Sequence, residues 1–465
     1  MGGDQPIAIV GEPLDGSIRL AEILGALSHA LDLTEGQPAG HCMRCTYIGT
    51  RIGEAIGLGE GEARDLFYVC LLKDLGCSSN AARICQLYLT DDIAFKREFK
   101  EVDDSLAQVL RFILQQTGLK AGLAERFRAL VNIAKNGGEI ARDLMESRCQ
   151  RGAEIARRLR FSEAVADGIR SLDEHWGGAG QPLKLQGQAI PLFSRIALMA
   201  QVIDVFQRSG GRQAAIREIR QRAGSWFDPE LVSAFETVAI DPIFWTALRD
   251  KEIEARVLSL APARAHEPVD EDYLDDIAAA FAEIVDSKSP YTSGHSERVA
   301  LFCDMIAEQL GFADTERRRL KRAALLHDIG KLAVSNSILD KPDRLDEDEW
   351  REMRGHAAHS EAILSRIGAF AELAVIGGSH HERLDGKGYP RGLTGDAIGL
   401  ETRIVTVADV FDALTADRPY RSAMPLSRAL AILDADIGTA FDARCVAALK
   451  LAVARLDEAD GKAAA

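Results

Sequence analysis

The chain has 465 residues, 47% of them hydrophobic and 27% charged, and a formal net charge of −15. That length supports two or three domains, each able to bury its own core, and the composition is that of an ordinary soluble protein. The acidic balance argues against a nucleic acid polymer as partner, since a polyanion needs a basic surface, and no apolar stretch is long and uncharged enough for a membrane span.

The opening residues, MGGDQPIAIVGEPLDG, lack the basic-then-apolar pattern of a secretory signal, and Pro6 stands where a myristoylation signal needs Ser or Thr. A cytoplasmic location without membrane contact is expected. Helix formers dominate from there on, with no convincing alternation of β-branched residues, so the expected fold class is all-α. Eight cysteines form no disulfide-like ladder; Cys42 and Cys45, a single CxxC, read as small apolar residues on one helix face.

Segment 81–147 is helix-like, with the apolar series SLAQVLRFILQQTG. Its plain role is packing on its own domain; the sharper one is a dimer or inter-domain surface controlling the other half. LAPARAHEPVDED breaks the helical pattern with two prolines, and a linker is expected over 259–270. Glu271 to Asp286 then reads as a helix. The basic run from Glu316 to Arg322 reads as a solvated helix face and not a docking site.

The second half repeats the first. GHSER at 294–298 answers to GHCMR at 40–44, and LLHDIG at 325–330 to LLKDLG at 71–76, both 254 residues upstream. DGKGYP at 385–390 answers to GGAGQP at 177–182, and RIVTVADVFD at 403–412 to RIALMAQVID at 195–204, both at 208. The offset changes because the first copy carries about 46 extra residues between Asn80 and Arg148; near the end GTAFDA at 438–443 still answers to GSWFDP at 224–229. Constant offsets over separated motifs mark a tandem duplication.

Six of the ten histidines fall between His295 and His381. Imidazole and carboxylate together suit a first-row metal such as Fe, Mn or Zn. The candidates are His295, His327, Asp328, His356, His380, His381 and Asp409; His359 reads as a neighbour. Seven ligands suit two metals sharing Asp328 as a bridge. Two cations about 3.5–4 Å apart acidify a water and clamp a phosphodiester in line, and Lys331, one turn after His327 on the same presumed helix, can reach the non-bridging oxygens.

LLHDIGK at 325–331 resembles the core of the HD superfamily. HHERLDGKGYP at 380–390 is similar to the motif that names its HD-GYP branch, and VADVFDALTADRPYR at 407–421 to that branch's closing motif. The resemblance covers Glu271 to Leu451. It implies hydrolysis of cyclic di-GMP by a metal-activated hydroxide, giving linear pGpG or GMP, with Asp328 and Lys331 at the chemistry. One metal would take His295, His327, Asp328 and Asp409, the other Asp328, His356, His380 and His381. Lys331, Arg418 and Arg421 match positions that contact substrate phosphates, and Tyr389 belongs to the recognition motif. Tyr291 stands where some members carry a Glu for a third metal, so two divalent ions are expected: Fe or Mn, with Zn, Ni and Mg left open.

Two of the seven ligands survive in the first copy, as His41 and Asp74; the others become Lys73, Arg148, Leu172, Asp173 and Gln201. A Lys and an Arg there would repel a metal pair, and the RPYR segment has no counterpart. Residues 1–258 are therefore expected to be an inactive copy, with Lys73 pairing Asp74 or Asp173 in place of metal, and 271–465 the active domain. The alternatives are an HD-type hydrolase of another cyclic dinucleotide or nucleotide, or a non-catalytic nucleotide-binding scaffold with a homodimer or signalling partner on the first domain.

Overall fold

A computed structural model of the chain describes residues 20–102, 106–119, 121–262, 269–417 and 421–463. Among these the architecture is all-α: helices throughout, with isolated bridges such as Ala223–Phe227 and Ile437–Phe441 in place of any sheet. No helix among the described residues is long and apolar enough to cross a membrane.

The repeat is visible in the helix bounds. His41–Ala55 and Glu60–Leu72 recur 254 residues on as His295–Gln309 and Asp314–Leu326. Glu163–Arg170 and Leu192–Gln221 begin 208 residues before Ala371–Ser379 and Leu400–Thr415. The paired bridges, Ala223–Phe227 and Ile437–Phe441, stand 214 apart, so the second copy carries a few extra residues after Thr415, including the RPYR segment. Arg418 lies outside the described residues. Within the expected linker, 263–268 also lie outside them.

Local chemistry explains why the site helices start and meet where they do. Asp346 caps Glu347–Leu364, accepting from the backbone N–H of Asp348 and Glu349, while the Glu349 side chain accepts from the Asp346 N–H at 2.8 Å. That capping box, with three acids in the first turn, suits the positive end of the helix. Gly330 is needed for contact: a Cβ there would stand 1.9 Å from the His356 carbonyl oxygen, and one at Gly76 the same distance from that of Arg148. In each copy the turn after the HD-type motif presses directly on the following long helix, which a side chain would forbid.

One continuous apolar core takes in both halves. The Leu20–Thr34 helix of the first half packs on Ile329–Ala333 and Glu347–Leu364 of the second, and Glu271–Asp286 packs reciprocally on Leu123–Arg158 and Cys77–Asn80. Each copy's leading helix thus covers the other copy's motif turn. Polar ties reinforce the seam: Tyr273 donates to the Leu159 carbonyl at 2.7 Å, and the Ser78 and Ser287 hydroxyls lie 2.9 Å apart.

The segment inserted in the first copy folds on a small core of its own, with Tyr88, Phe95, Phe112, Ile133, Ile140 and Leu144. It also reaches the second half, where buried Asp92 accepts from the Asn336 N–H at 2.8 Å and the Ser335 hydroxyl at 3.0 Å. The basic run is only partly a solvated face. Arg317 pairs with Asp304 at 2.9 Å, and Arg318 and Arg322 pair with Asp275 on Glu271–Asp286, stapling that helix down. Cys42 and Cys45 are free and buried.

Candidate metal centre

All seven residues singled out from the sequence converge. The α-helix Asp314–Leu326 stops just before His327, and a 3-10 helix, Ile329–Ala333, follows Asp328. Lys331 is therefore not on the same α-helix as His327. The tighter winding of the 3-10 turn brings its ammonium onto Asp328 Oδ2.

Two groups form around Asp328. Its Oδ2 lies 3.4 Å from His295 Nε2 and 3.3 Å from His327 Nε2, and Asp409 Oδ1 lies 3.4 Å from His295 Nε2. Its Oδ1 lies 3.4 Å from His356 Nε2 and 3.6 Å from His380 Nε2, and His381 Nε2 lies 3.1 Å from His356 Nε2. The donor atoms of His295, His327 and Asp409 all lie within 4.8 Å of one another, as do those of Asp328, His356, His380 and His381. One carboxylate faces both sets, one oxygen to each.

The ring orientations are fixed from behind. His327, His356 and His380 each donate Nδ1–H to a carbonyl one turn back, at Ala324, Met353 and Gly377, at 2.6, 2.6 and 2.8 Å. His295 Nδ1 lies 2.7 Å from Asp412, which also accepts from Arg298. Those bonds leave each Nε2 with a lone pair pointing inward. His356 and His380 then set two such lone pairs 3.4 Å apart, a repulsive arrangement unless a cation lies among them. His295 Nε2, His327 Nε2 and Asp328 Oδ1 are buried without a hydrogen bond, which a closed protein core rarely tolerates. The donor set therefore fits two divalent cations.

Electrostatics agree. Burial pushes the Asp328 and Asp409 carboxyls up, but nearby cationic groups outweigh it and hold both well below the usual range. Burial works against charge on His295, yet Asp328, Asp409 and Asp412 raise it to about 10, so a proton occupies this acid-rich group when no metal does. Burial drives His356 down to about 3, keeping its lone pair free. Six of the seven side chains are buried, and His381 is the partly exposed member, marking the open side. Tyr389 borders that opening, its ring 4.8 Å from that of His381. Arg421 spends its guanidinium on the Ala413, Leu414 and Ser422 carbonyls, closing the end of Leu400–Thr415.

Three residues escaped the motif reading. Asp412 orients His295, and Asp286 accepts from the Ser296 N–H and hydroxyl. Glu382, fully buried, accepts from the Arg391 and Leu393 N–H and holds the loop after Tyr389. The repeat itself carried their signal: Asp204, Asp32 and Glu174 stand at the matching offsets and accept the matching bonds, from His41, the Cys42 N–H, and the Leu183 and Leu185 N–H.

The first copy keeps the frame and fills the middle with its own cations. His41 Nδ1 lies 2.7 Å from Asp204, as His295 does from Asp412. Lys73 pairs with Asp74 and lies 3.2 Å from His41 Nε2; Arg148 pairs with Asp173; Lys100 reaches Glu35 at 2.9 Å. Two groups there, His41–Cys45–Asp204 and Glu35–Asp74–Cys77, bring donors together. Burial, however, holds the Cys45 and Cys77 thiols well above their ordinary range, so they stay protonated and ligate poorly.

A helical scaffold that buries paired His/Asp groups behind one open edge defines a metal-dependent hydrolase. The HD-domain family model matches the chain twice, at 121–231 and 279–445. The chain is 56% identical over 434 residues to the 3'3'-cGAMP-specific phosphodiesterase 3 of Vibrio cholerae, covering 93% of this chain and 94% of that protein. It is 45% identical over 184 residues to the cyclic di-GMP phosphodiesterase response regulator RpfG of Xanthomonas campestris, covering 39% of this chain and 49% of that one. A crystal structure of a cyclic GMP-AMP specific phosphodiesterase of V. cholerae matches with a TM-score of 0.64 at 50% identity, over 94% of this chain and 98% of that one. The chain belongs to the HD-domain family, as an HD-GYP phosphodiesterase.

Proposed function

We propose that the chain is a metal-dependent phosphodiesterase of cyclic dinucleotides, with 3'3'-cGAMP as its preferred substrate and the second half as its catalytic unit. The observation that supports the chemistry is Asp328, whose two oxygens face two separate sets of inward lone pairs. The relative named for 3'3'-cGAMP spans both halves of this chain, and that favours this substrate. A second reading, cyclic di-GMP, draws support from the 45% identity of the second half to a protein named for it.

In this reading Asp328, His295, His327 and Asp409 would hold one divalent ion, and Asp328, His356, His380 and His381 the other. When bound, the pair supplies Lewis-acid charge to the diester and acidity to the attacking water. The protein's own part is positioning. Backbone carbonyls hold three imidazoles in the Nδ1–H form, and Asp412 holds His295. Lys331, released from Asp328, is placed to neutralise a non-bridging phosphate oxygen. Tyr389 flanks the open edge; Arg421 would have to leave its carbonyls to reach a phosphate.

Turnover decides it. Purified protein with Mn(II) or Fe(II) should cleave 3'3'-cGAMP to a linear dinucleotide at a higher kcat/KM than cyclic di-GMP. A preference for cyclic di-GMP would select the second reading, and binding without cleavage in either metal would move the assignment to a scaffold.

A further inference from the structure

We infer that Arg354 and Trp350 form a purine subsite that selects guanine, and that this subsite makes a guanine-containing cyclic dinucleotide the substrate. The inference rests on the cyclic dinucleotide reading above and adds which base is read and by which residues.

The Glu347–Leu364 helix carries His356 into the second metal group. Arg354 and Trp350 precede it on the same helix and face a cavity of about 560 Å³, lined also by Glu347, Arg351, Tyr389 and Pro390. That volume lies within the usual range for a small-molecule site. The Arg354 guanidinium lies over two rings, 5.5 Å from the centre of Trp350 and 5.4 Å from that of Tyr389. The Tyr389 ring in turn stands 4.8 Å from that of His381, the partly exposed member of the metal cluster. A continuous π surface thus leads from the open edge of the centre into the cavity. A phosphodiester held at the centre would send its adjoining nucleoside along it.

The wall chemistry distinguishes the bases. Trp350 is 45% exposed, a large ring left open to the cavity, and an aromatic face takes any base by stacking. An arginine fork is more selective. Guanine offers two adjacent acceptors, O6 and N7, whereas adenine sets an N6 donor beside N7 and meets the fork with one mismatch. With its guanidinium carbon about equally close to both ring centres, Arg354 is placed to offer its N–H groups to a base in that cavity.

The test is steady-state kinetics of the full-length metal-loaded protein on 3'3'-cGAMP, cyclic di-GMP and cyclic di-AMP, with metal content measured for every variant. The parent should favour the two guanine-containing substrates over cyclic di-AMP by about tenfold or more in kcat/KM. Arg354→Ala should remove most of that ratio, and Arg354→Lys should not restore it, because an ammonium cannot make the paired bond. Trp350→Ala should raise KM for all three by about fivefold or more. Should Arg354→Ala lose metal through its proximity to His356, Arg354→Gln carries the same comparison. An unmoved ratio, or an equal fall on all three substrates as a phosphate contact would give, overturns the inference while leaving the substrate class intact. Absence of turnover on all three by the parent sinks the substrate class itself.

Discussion

The two halves of this chain answer the same electrostatic problem in different ways. Both bury an aspartate at the end of a helix, at Asp74 and Asp328, and both hold a histidine beside it through a second aspartate, at Asp204 and Asp412. In the first half the compensating charge is covalently attached: Lys73 on Asp74, Arg148 on Asp173. In the second, seven donors converge, and His295 Nε2, His327 Nε2 and Asp328 Oδ1 are buried without a hydrogen bond. A scaffold can therefore keep its packing whether side-chain cations fill its centre, as in the first half, or a donor set that fits divalent cations lines it, as in the second.

The comparison can be broken most severely by separating the halves. Residues 271–465 expressed alone should fail to fold, because the Leu20–Thr34 helix that covers Ile329–Ala333 would be missing. A cooperative melt of that fragment would show the halves to be independent. Next in size, His327→Ala or Asp328→Ala should lower turnover by about three orders of magnitude or more, and elemental analysis should show metal lost from a chain that binds two ions, not four. Full metal content with full activity would remove the second half from the chemistry.

Lys73→Ala should cost about 3–5 kcal/mol of stability, since it removes the direct ion-pair partner of buried Asp74. An unchanged melting temperature would mean that the first-half pair is not a structural substitute for metal. Asp412→Asn should weaken metal binding by about 10–100-fold, read by competition with a chelator, whereas Asp204→Asn should lower the melting temperature and leave metal affinity alone. Equal effects on metal would erase the distinction between the copies. Smallest of all, Arg160→Ala removes an exposed pair with Asp276 across the seam and should leave the melt unmoved.

Much of this was legible in the chain. The helical class follows from the dominance of helix formers, and the 254 and 208 offsets and the clustering of the seven candidate donors from motif spacing, because metal ligation demands particular residue types at positions that secondary structure must bring together; their division between two metals came from the family resemblance. Where the site residues sit on regular helices, as His295 and His356 do, spacing is enough. It was not enough at Lys331, where the α-helix gives way to a 3-10 turn, nor at Asp412, Asp286 and Glu382. Those three act behind the ligand set, Asp412 through His295, and their roles show in the sequence only as residues kept by both copies.

The sequence by itself determined that one scaffold occurs twice and that only the second copy retains the full donor set, since both are properties of residue identity at fixed intervals. The tertiary structure decided what the first copy is for in the fold. Its leading helix covers the other copy's motif turn, its inserted segment anchors Asp92 to Ser335 and Asn336, and a single apolar core runs through both. The same holds for the Trp350–Arg354–Tyr389 wall, where Tyr389 comes from a segment apart from the helix that carries the other two. Such pairings depend on contacts between residues far apart in the chain, and apolar burial is non-directional. The pattern that marks a face for burial does not name the face that will meet it.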